Sequence, residues 1–389
     1  MKAAIVTTLR SPGPSLESFI EHHLRSGFER LFLFFDDPAD PDLDRATGYA
    51  AVTIIPNDER LRERWARTPL HRSMRRFIER EVMARQVLNA AAAVPLATES
   101  GIDWLVHLDS DELFCVEGGS APAHFQRLAD QGIRRALYLN HEAAPEQEDI
   151  EDFFRTVTLF KLNPLAHSAT SGAAGGTSVG EAERLALARQ RRALFHFYAN
   201  GKSAATVDPW LRPLGVHEFA PYVRGGPMRG ARAAAARMRI ARRATRSGHP
   251  ARRLLRALLG SEGPSVLQSD AFILHYACCG FRAFSEKYRL LGRFDDRWFG
   301  RAPIVRKIGT FHLEARDIVL AGDEEAARRF YRSRVLLQDP AEITRLIEGG
   351  VLGRFEEPSR LLRIDSGSRR TRHADEPGTL RNPYQPWDR

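Results

Sequence analysis

The sequence predicts an α/β protein: a mostly parallel mixed sheet flanked by helices, in one elaborated domain. Three observations carry this. From residue 3 to residue 112 short apolar runs alternate with amphipathic stretches, which requires crossover connections and hence a parallel sheet. The runs are rich in β-branched and aromatic residues with few polar interruptions, as in strands covered on both faces. The run over 102–108 ends in four consecutive polar residues, Asp109-Ser110-Asp111-Glu112, at the strand end where open α/β sheets bind ligands.

Taken in order, residues 3–9 (AAIVTTL) form the first strand, and Arg10-Ser11-Pro12-Gly13-Pro14 a loop. Leu16, Phe19, Ile20, His23 and Leu24 fall at helical spacing, with Ser15 as N-cap and Gly27 as C-cap. Leu31–Phe35 is a strand ending in Asp36-Asp37-Pro38, and Val52–Ile55 another. A long amphipathic helix over 71–93 precedes the strand Ile102–Leu108. Farther on, Ala136–Asn140, Thr156–Lys161, Leu194–Ala199, Ala205–Val207 and Ala271–Tyr276 are strands, and 170–180 (TSGAAGGTSVG) is a Gly/Ser loop. Helices over 281–292 and within 323–348 follow, and the tail 365–389, poor in aliphatics, is expected to be disordered.

The chain has 389 residues and a net charge of +9, which invites a nucleic-acid or membrane-surface reading. The charge is local. Residues 219–261 contain eleven arginines and no Asp, Glu or Lys, so the remaining chain carries −2. Only Lys2, Lys161, Lys202, Lys287 and Lys307 are lysines. Cys115, Cys278 and Cys279 make no disulfide framework, and no apolar run reaches the ~18 residues of a membrane span. The expected location is the cytoplasm, peripheral at a membrane. No G-x-G-x-x-G, Walker A, H-E-x-x-H or G-x-S-x-G occurs. Isolated tryptophans such as Trp65 and Trp104 default to core packing.

Asp109 and Asp111, two residues apart at a strand end, suit one hard divalent cation whose shell a diphosphate completes. The alternative is a solvated acidic turn. An EF-hand loop is excluded, because Phe114 and Ser120 stand where Gly and Glu are required.

With "RQVLNAA" (residues 85–91), "DWLVHLDSDELF" (103–114), "GVHEF" (215–219) and "ILHYACCGFRAFSEKYRLLGRF" (273–294), the chain resembles GT-A-fold (Rossmann-like) glycosyltransferases, specifically the family 2-like group related to family 92. The resemblance runs with gaps from residue 3 to about 295. It implies a nucleotide-sugar donor, a glycan or glycolipid acceptor, Mn²⁺ or Mg²⁺, and no nucleic-acid partner. It further implies that Asp111 binds the metal and Asp109 the ribose or the metal shell. Asp36 would contact the nucleotide, Gln86 and Asn89 would lie under the donor, and His217 or His275 would ligate metal or diphosphate. Arg10 stands where the group carries Lys-Asn-Glu and would reach a phosphate. The group's Lys-Ser is retained as Lys202-Ser203. For the base that deprotonates an acceptor hydroxyl in an inverting transfer, Asp208 lies at the corresponding place, with Glu218 and Glu142 as rivals.

This organisation gives a nucleotide-sugar-binding catalytic core over 1–220, an Arg-rich insertion over 221–262, a helical part over 263–350 completing the acceptor side, and the tail 365–389. The insertion would hold an anionic acceptor or an anionic membrane surface, which suits polysaccharide assembly. The competing class is a non-catalytic protein that binds nucleic acid or an anionic surface through the same arginines.

Overall fold

The computed structural model describes residues 1–163, 201–209, 211–221, 266–268, 270–299 and 306–363. The expected strand Leu194–Ala199, the Gly/Ser loop, nearly all of the Arg-rich insertion and the tail lie outside the described residues.

The first half runs β1 (Ala3–Leu9), α1 (Ser15–Arg25), β2 (Arg30–Phe35), β3 (Val52–Pro56), α2 (Glu59–Arg67), α3 (His71–Met74), α4 (Val82–Glu99), β4 (Trp104–His107), β5 (Glu112–Val116), α5 (Ala121–Asp130), β6 (Arg135–Tyr138), β7 (Asn140–Ala143), α6 (Phe153–Thr156) and β8 (Leu159–Lys161). Then come β9 (Lys202–Thr206), β10 (Leu211–Pro213), β11 (Phe219–Pro221), β12 (Val266–Leu267), β13 (Ala271–His275), α7 (Phe281–Leu291), β14 (Arg297–Trp298), β15 (Arg306–Lys307), α8 (Thr310–Leu320), α9 (Glu324–Arg334), α10 (Pro340–Glu348), β16 (Leu352–Arg354) and α11 (Glu357–Arg363).

Two sheets organise them. The larger has the order β12-β6-β9-β4-β1-β2-β3. In it β3, β2, β1 and β4 are parallel, β9 is antiparallel to both β4 and β6, and β12 is parallel to β6. The predicted mixed, mostly parallel α/β sheet is therefore present. Both its faces are covered, which explains the unbroken apolar strands. Ala3 and Ile5 of β1 face one core with Phe19 and Phe125, while Ala4 and Val6 face another with Trp65, Leu88 and Leu105. Trp65 and Trp104 are both core residues.

The second sheet has the order β16-β8-β7-β13-β5. Among the described strands the chain crosses between the sheets five times, at β4–β5, β5–β6, β6–β7, β8–β9 and β12–β13, and two of these crossings shape the site. One crossing is the Asp109–Asp111 turn, closed by the Glu112 amide on the Asp109 carbonyl at 3.1 Å. The other is Leu139, so the predicted strand Ala136–Asn140 is two strands in two sheets.

Several boundaries differ from expectation for local reasons. The helix expected over 71–93 is broken between Met74 and Val82. There Glu81 is extended, and its carboxylate accepts the Phe299 amide at 2.7 and 2.9 Å. Helix α2 begins at an Asp58 cap that accepts the Leu61 amide at 2.9 Å. Ser15 is the first residue of α1 rather than its N-cap. Strand β9 begins three residues before the predicted Ala205, and it starts there because of Gly201. That residue has φ +67°, and a Cβ on it would lie 2.1 Å from the Tyr138 carbonyl oxygen, so only glycine lets β9 pair with β6. Among the described residues no helix is long and apolar enough to cross a membrane.

Candidate functional site

The C-terminal ends of β1, β2 and β4 deliver Arg10, Asp36 and Asp109 to one edge of the large sheet. The antiparallel β9 begins at that same edge, so Lys202 meets Asp109. Its Nζ donates to Asp109 Oδ2 at 2.6 Å, lies 3.2 Å from Glu112 Oε2, and also donates to the Val216 carbonyl at 3.1 Å. Gln86, on α4, donates to Asp109 Oδ1 at 2.8 Å. The Asp109 amide donates to Glu112 Oε2 at 2.8 Å.

Asp111 belongs to the second sheet. The Tyr276 amide donates to its carbonyl at 2.7 Å, and β13 aligns His275 opposite Glu112. His275 Nε2 faces Asp111 Oδ1 at 3.6 Å, while its Nδ1 meets Glu142 Oε1 at 2.7 Å. Lys287, on α7, donates to Asp111 Oδ2 at 2.9 Å. The resulting chain, Glu142–His275–Asp111–Lys287, runs beside Glu112–Lys202–Asp109–Gln86.

Its electrostatics follow from burial among alternating charges. Burial works to raise the Asp109 carboxyl, but the Lys202 ammonium outweighs it and holds the pKa below the ordinary value. Burial likewise acts against Asp111, where Lys287 and then His275 prevail and hold it well below. Glu112 is the exception: burial pushes it up to about 7 against the pull of Lys202. Burial opposes the charged form of His275, but Glu142 and Asp111 raise it well above 6.5, and a metal at Nε2 would have to displace that proton. His107, buried next to this group, is driven down to about 3 by burial and by Lys202.

The donor set suits one divalent cation. A histidine whose far nitrogen is held by a buried carboxylate is the usual arrangement of a metal-ligating imidazole. His275 Nε2 and Asp111 Oδ1, 3.6 Å apart, are the atoms that would hold such an ion. Among the described residues no group of three or more His, Cys, Asp and Glu side chains is arranged to hold a metal. His275 and Asp111 are the two side chains that could ligate one here, and a phosphate and water would have to complete the shell.

The other expected residues divide. Asp36 is clamped by the Arg85 guanidinium through both oxygens, with Arg10 Nη1 at 3.9 Å. Asn89 does not join Gln86: it is buried, donates to Thr8 Oγ1 and accepts from the Trp65 indole, both at 2.9 Å. His217 and Glu218 sit in the turn between β10 and β11, next to Val216, whose carbonyl holds Lys202. Glu142 is fully buried and serves His275. Asp208 is at the far end of the sheet. Because β9 is antiparallel, Thr206 pairs with Trp104, and Asp208, beyond it, receives Arg134 at 3.1 Å, roughly 23 Å along the strand direction from Asp109. Sequence reasoning gave no role to Lys202, Lys287, Glu112 or Arg85. The scarcity of lysine was an available signal, since two of the five lysines lie on the two aspartates.

No protein-family model matches the chain. Core-mannan synthase A of Aspergillus fumigatus, solved in its Mn/GDP form, aligns with 53% of this chain and 60% of its own at 12% identity and a TM-score of 0.25, too slight a likeness to bear on fold or site. A glycosyltransferase-like protein of Arabidopsis thaliana is 28% identical over 232 residues, 56% of this chain and 43% of the relative. A second one from the same plant is 30% identical over 372 residues, 91% of this chain and 70% of the relative. An identity of that extent places the chain in the glycosyltransferase-like family.

Proposed function

We propose that the chain is a metal-dependent glycosyltransferase of the family 2-like, family 92-related GT-A group. It transfers a sugar from a nucleotide-diphosphate-sugar to a hydroxyl of a glycan or glycolipid, with inversion, in the cytoplasm and peripheral to a membrane. The observation that carries this is the facing pair of His275 Nε2 and Asp111 Oδ1 at 3.6 Å, backed by Glu142, at the ligand-binding edge of an α/β sheet.

Mn²⁺ or Mg²⁺ at this pair, when bound, would neutralise charge developing on the leaving diphosphate. The chain's own residues do the rest. Gln86 and Lys202 fix Asp109 at the rim, where the donor ribose or the metal shell would meet it. Arg10, with its side chain 45% exposed next to Asp36, is free enough to turn to a phosphate. Glu218, carried on the turn that Lys202 holds against the aspartates, is the base that removes the acceptor proton; Asp208, at the opposite end of β9, has no part in this assignment.

The test is differential scanning fluorimetry with UDP, GDP, CMP and their sugars, with and without Mn²⁺, on the natural chain and on Asp111→Asn. A nucleotide-diphosphate should raise the melting temperature only with metal, and only in the natural chain. If no nucleotide produces a metal-dependent shift, the reading fails.

A further inference from the structure

The ammonium of Lys287 occupies the same carboxylate that the proposed metal would use. We propose that Lys287 is an exchangeable diphosphate-binding cation: it rests on Asp111 in the free protein and turns to the phosphates when metal takes that carboxylate. This rests on the metal-diphosphate reading above and goes beyond it by assigning a residue and a coupling between the two ligands.

Two lysines touch the two aspartates, and they are built differently. Lys202 has a side chain 1% exposed and is fixed by Asp109, Glu112 and the Val216 carbonyl. Lys287 has a side chain 33% exposed, with Asp111 as its carboxylate partner and the Ala277 carbonyl at 3.2 Å. Its helix is anchored by Phe284 and Tyr288, both fully buried against α8 and α9, so the flexible stem of the lysine, rather than the helix, is free to move. Once a metal draws on Asp111, the next acid among the described residues is Asp109, whose oxygens already serve Lys202 and Gln86. The displaced ammonium, with three donors and no acceptor, then has the incoming diphosphate as its counter-ion. Metal alone must compete with Lys287 and binds weakly, whereas metal and diphosphate strengthen each other's binding, reciprocally.

The experiment titrates Mn²⁺ by electron paramagnetic resonance, with and without inorganic pyrophosphate. It uses the full chain and Lys287→Met, Lys287→Arg and, as an exposed charge control on the same helix, Arg289→Met. The expected result is that Lys287→Met binds Mn²⁺ alone several-fold more tightly, while the gain from pyrophosphate drops about tenfold or more. Lys287→Arg should keep that gain, and Arg289→Met should change neither. The inference is overturned if Lys287→Met behaves like the natural chain. It is equally overturned if that variant loses Mn²⁺ and pyrophosphate together, since the lysine would then merely prop Asp111. A natural chain that binds no Mn²⁺ even with pyrophosphate would instead sink the metal reading itself.

Discussion

Replacing Lys202 with methionine should cost about 3 kcal/mol at pH 7.5, with a pH dependence that identifies the cause. The side chain is 1% exposed and bridges two carboxylates at 2.6 and 3.2 Å. Removing one member of a buried ion network typically costs about 3–5 kcal/mol, because uncompensated charge stays behind. Here the loss falls at the low end of that range. Glu112 already sits at about 7 and takes up a proton readily once the ammonium is gone, while Asp109 keeps the Gln86 amide at 2.8 Å. A carboxyl whose folded-state pKa lies above its unfolded value stabilises below the unfolded value and loses that contribution as pH rises through the folded one. The variant should therefore be closer to the natural chain at pH 5.5 than at pH 7.5. Urea unfolding followed by tryptophan fluorescence at both pH values measures this, and Lys202→Met combined with Glu112→Gln should recover part of the loss at pH 7.5. A cost below about 1 kcal/mol at pH 7.5, or equal costs at both pH values with no recovery in the double variant, would refute the charge argument.

Glu218→Gln should lower kcat by about 10²–10⁴-fold with donor affinity intact; a transferase assay with separate donor titration reads both, and unchanged turnover would remove Glu218 as the base. His22 and His23 are buried on α1, and the Phe114 amide donates to His23 Nε2 at 3.1 Å, which requires a neutral ring. Burial drives His22 down to about 4 and His23 well below its ordinary value. Stability must then fall as pH drops below 6.5, by about 2 kcal/mol from His22 alone at pH 5; His22→Gln should flatten that slope in urea unfolding, and a parallel slope would count against it. Gly201→Ala should destabilise the chain by more than about 2 kcal/mol, because the added carbon meets the Tyr138 carbonyl at 2.1 Å. A thermal melt within about 2 °C of the natural chain would show that β9 can begin without a glycine.

How much of this was legible depended on whether an element is specified locally. Strands β1, β2 and β13 are continuous apolar runs, and their predicted limits match within a residue or two. Helix α7 keeps its heptad-like spacing of Phe281, Phe284, Tyr288 and is placed equally well. Strand β9 reads KSAAT and shows almost no apolar pattern; it is a strand because β4 and β6 leave a gap between them that it fills. Its direction is invisible in one dimension, and direction sets which end of β9 lies at the aspartates. Run parallel, β9 would bring Asp208 to the aspartates; run antiparallel, it brings Lys202. The break before α4 is also tertiary, since Glu81 leaves the helix to hold Phe299, 218 residues away.

The spacing of the two aspartates has a structural reason that the sequence does not display. Asp109 ends the large sheet and faces Lys202 and Gln86; Asp111 opens the second sheet and faces His275 and Lys287. Ser110 is the one residue between them, so the pair is split across a junction rather than arranged along one strand. In a continuous strand, residues two apart point to the same face and repel each other there. At this junction each acid instead meets its own cations, and the two groups stay ionised side by side despite burial. A residue inserted after Ser110 would shift β5 by one position and put Leu113 and Phe114, both fully buried, each on the face the other now fills. The register that packs those two side chains is therefore the same register that sets Asp111 against His275, and the core fixes the geometry of the site.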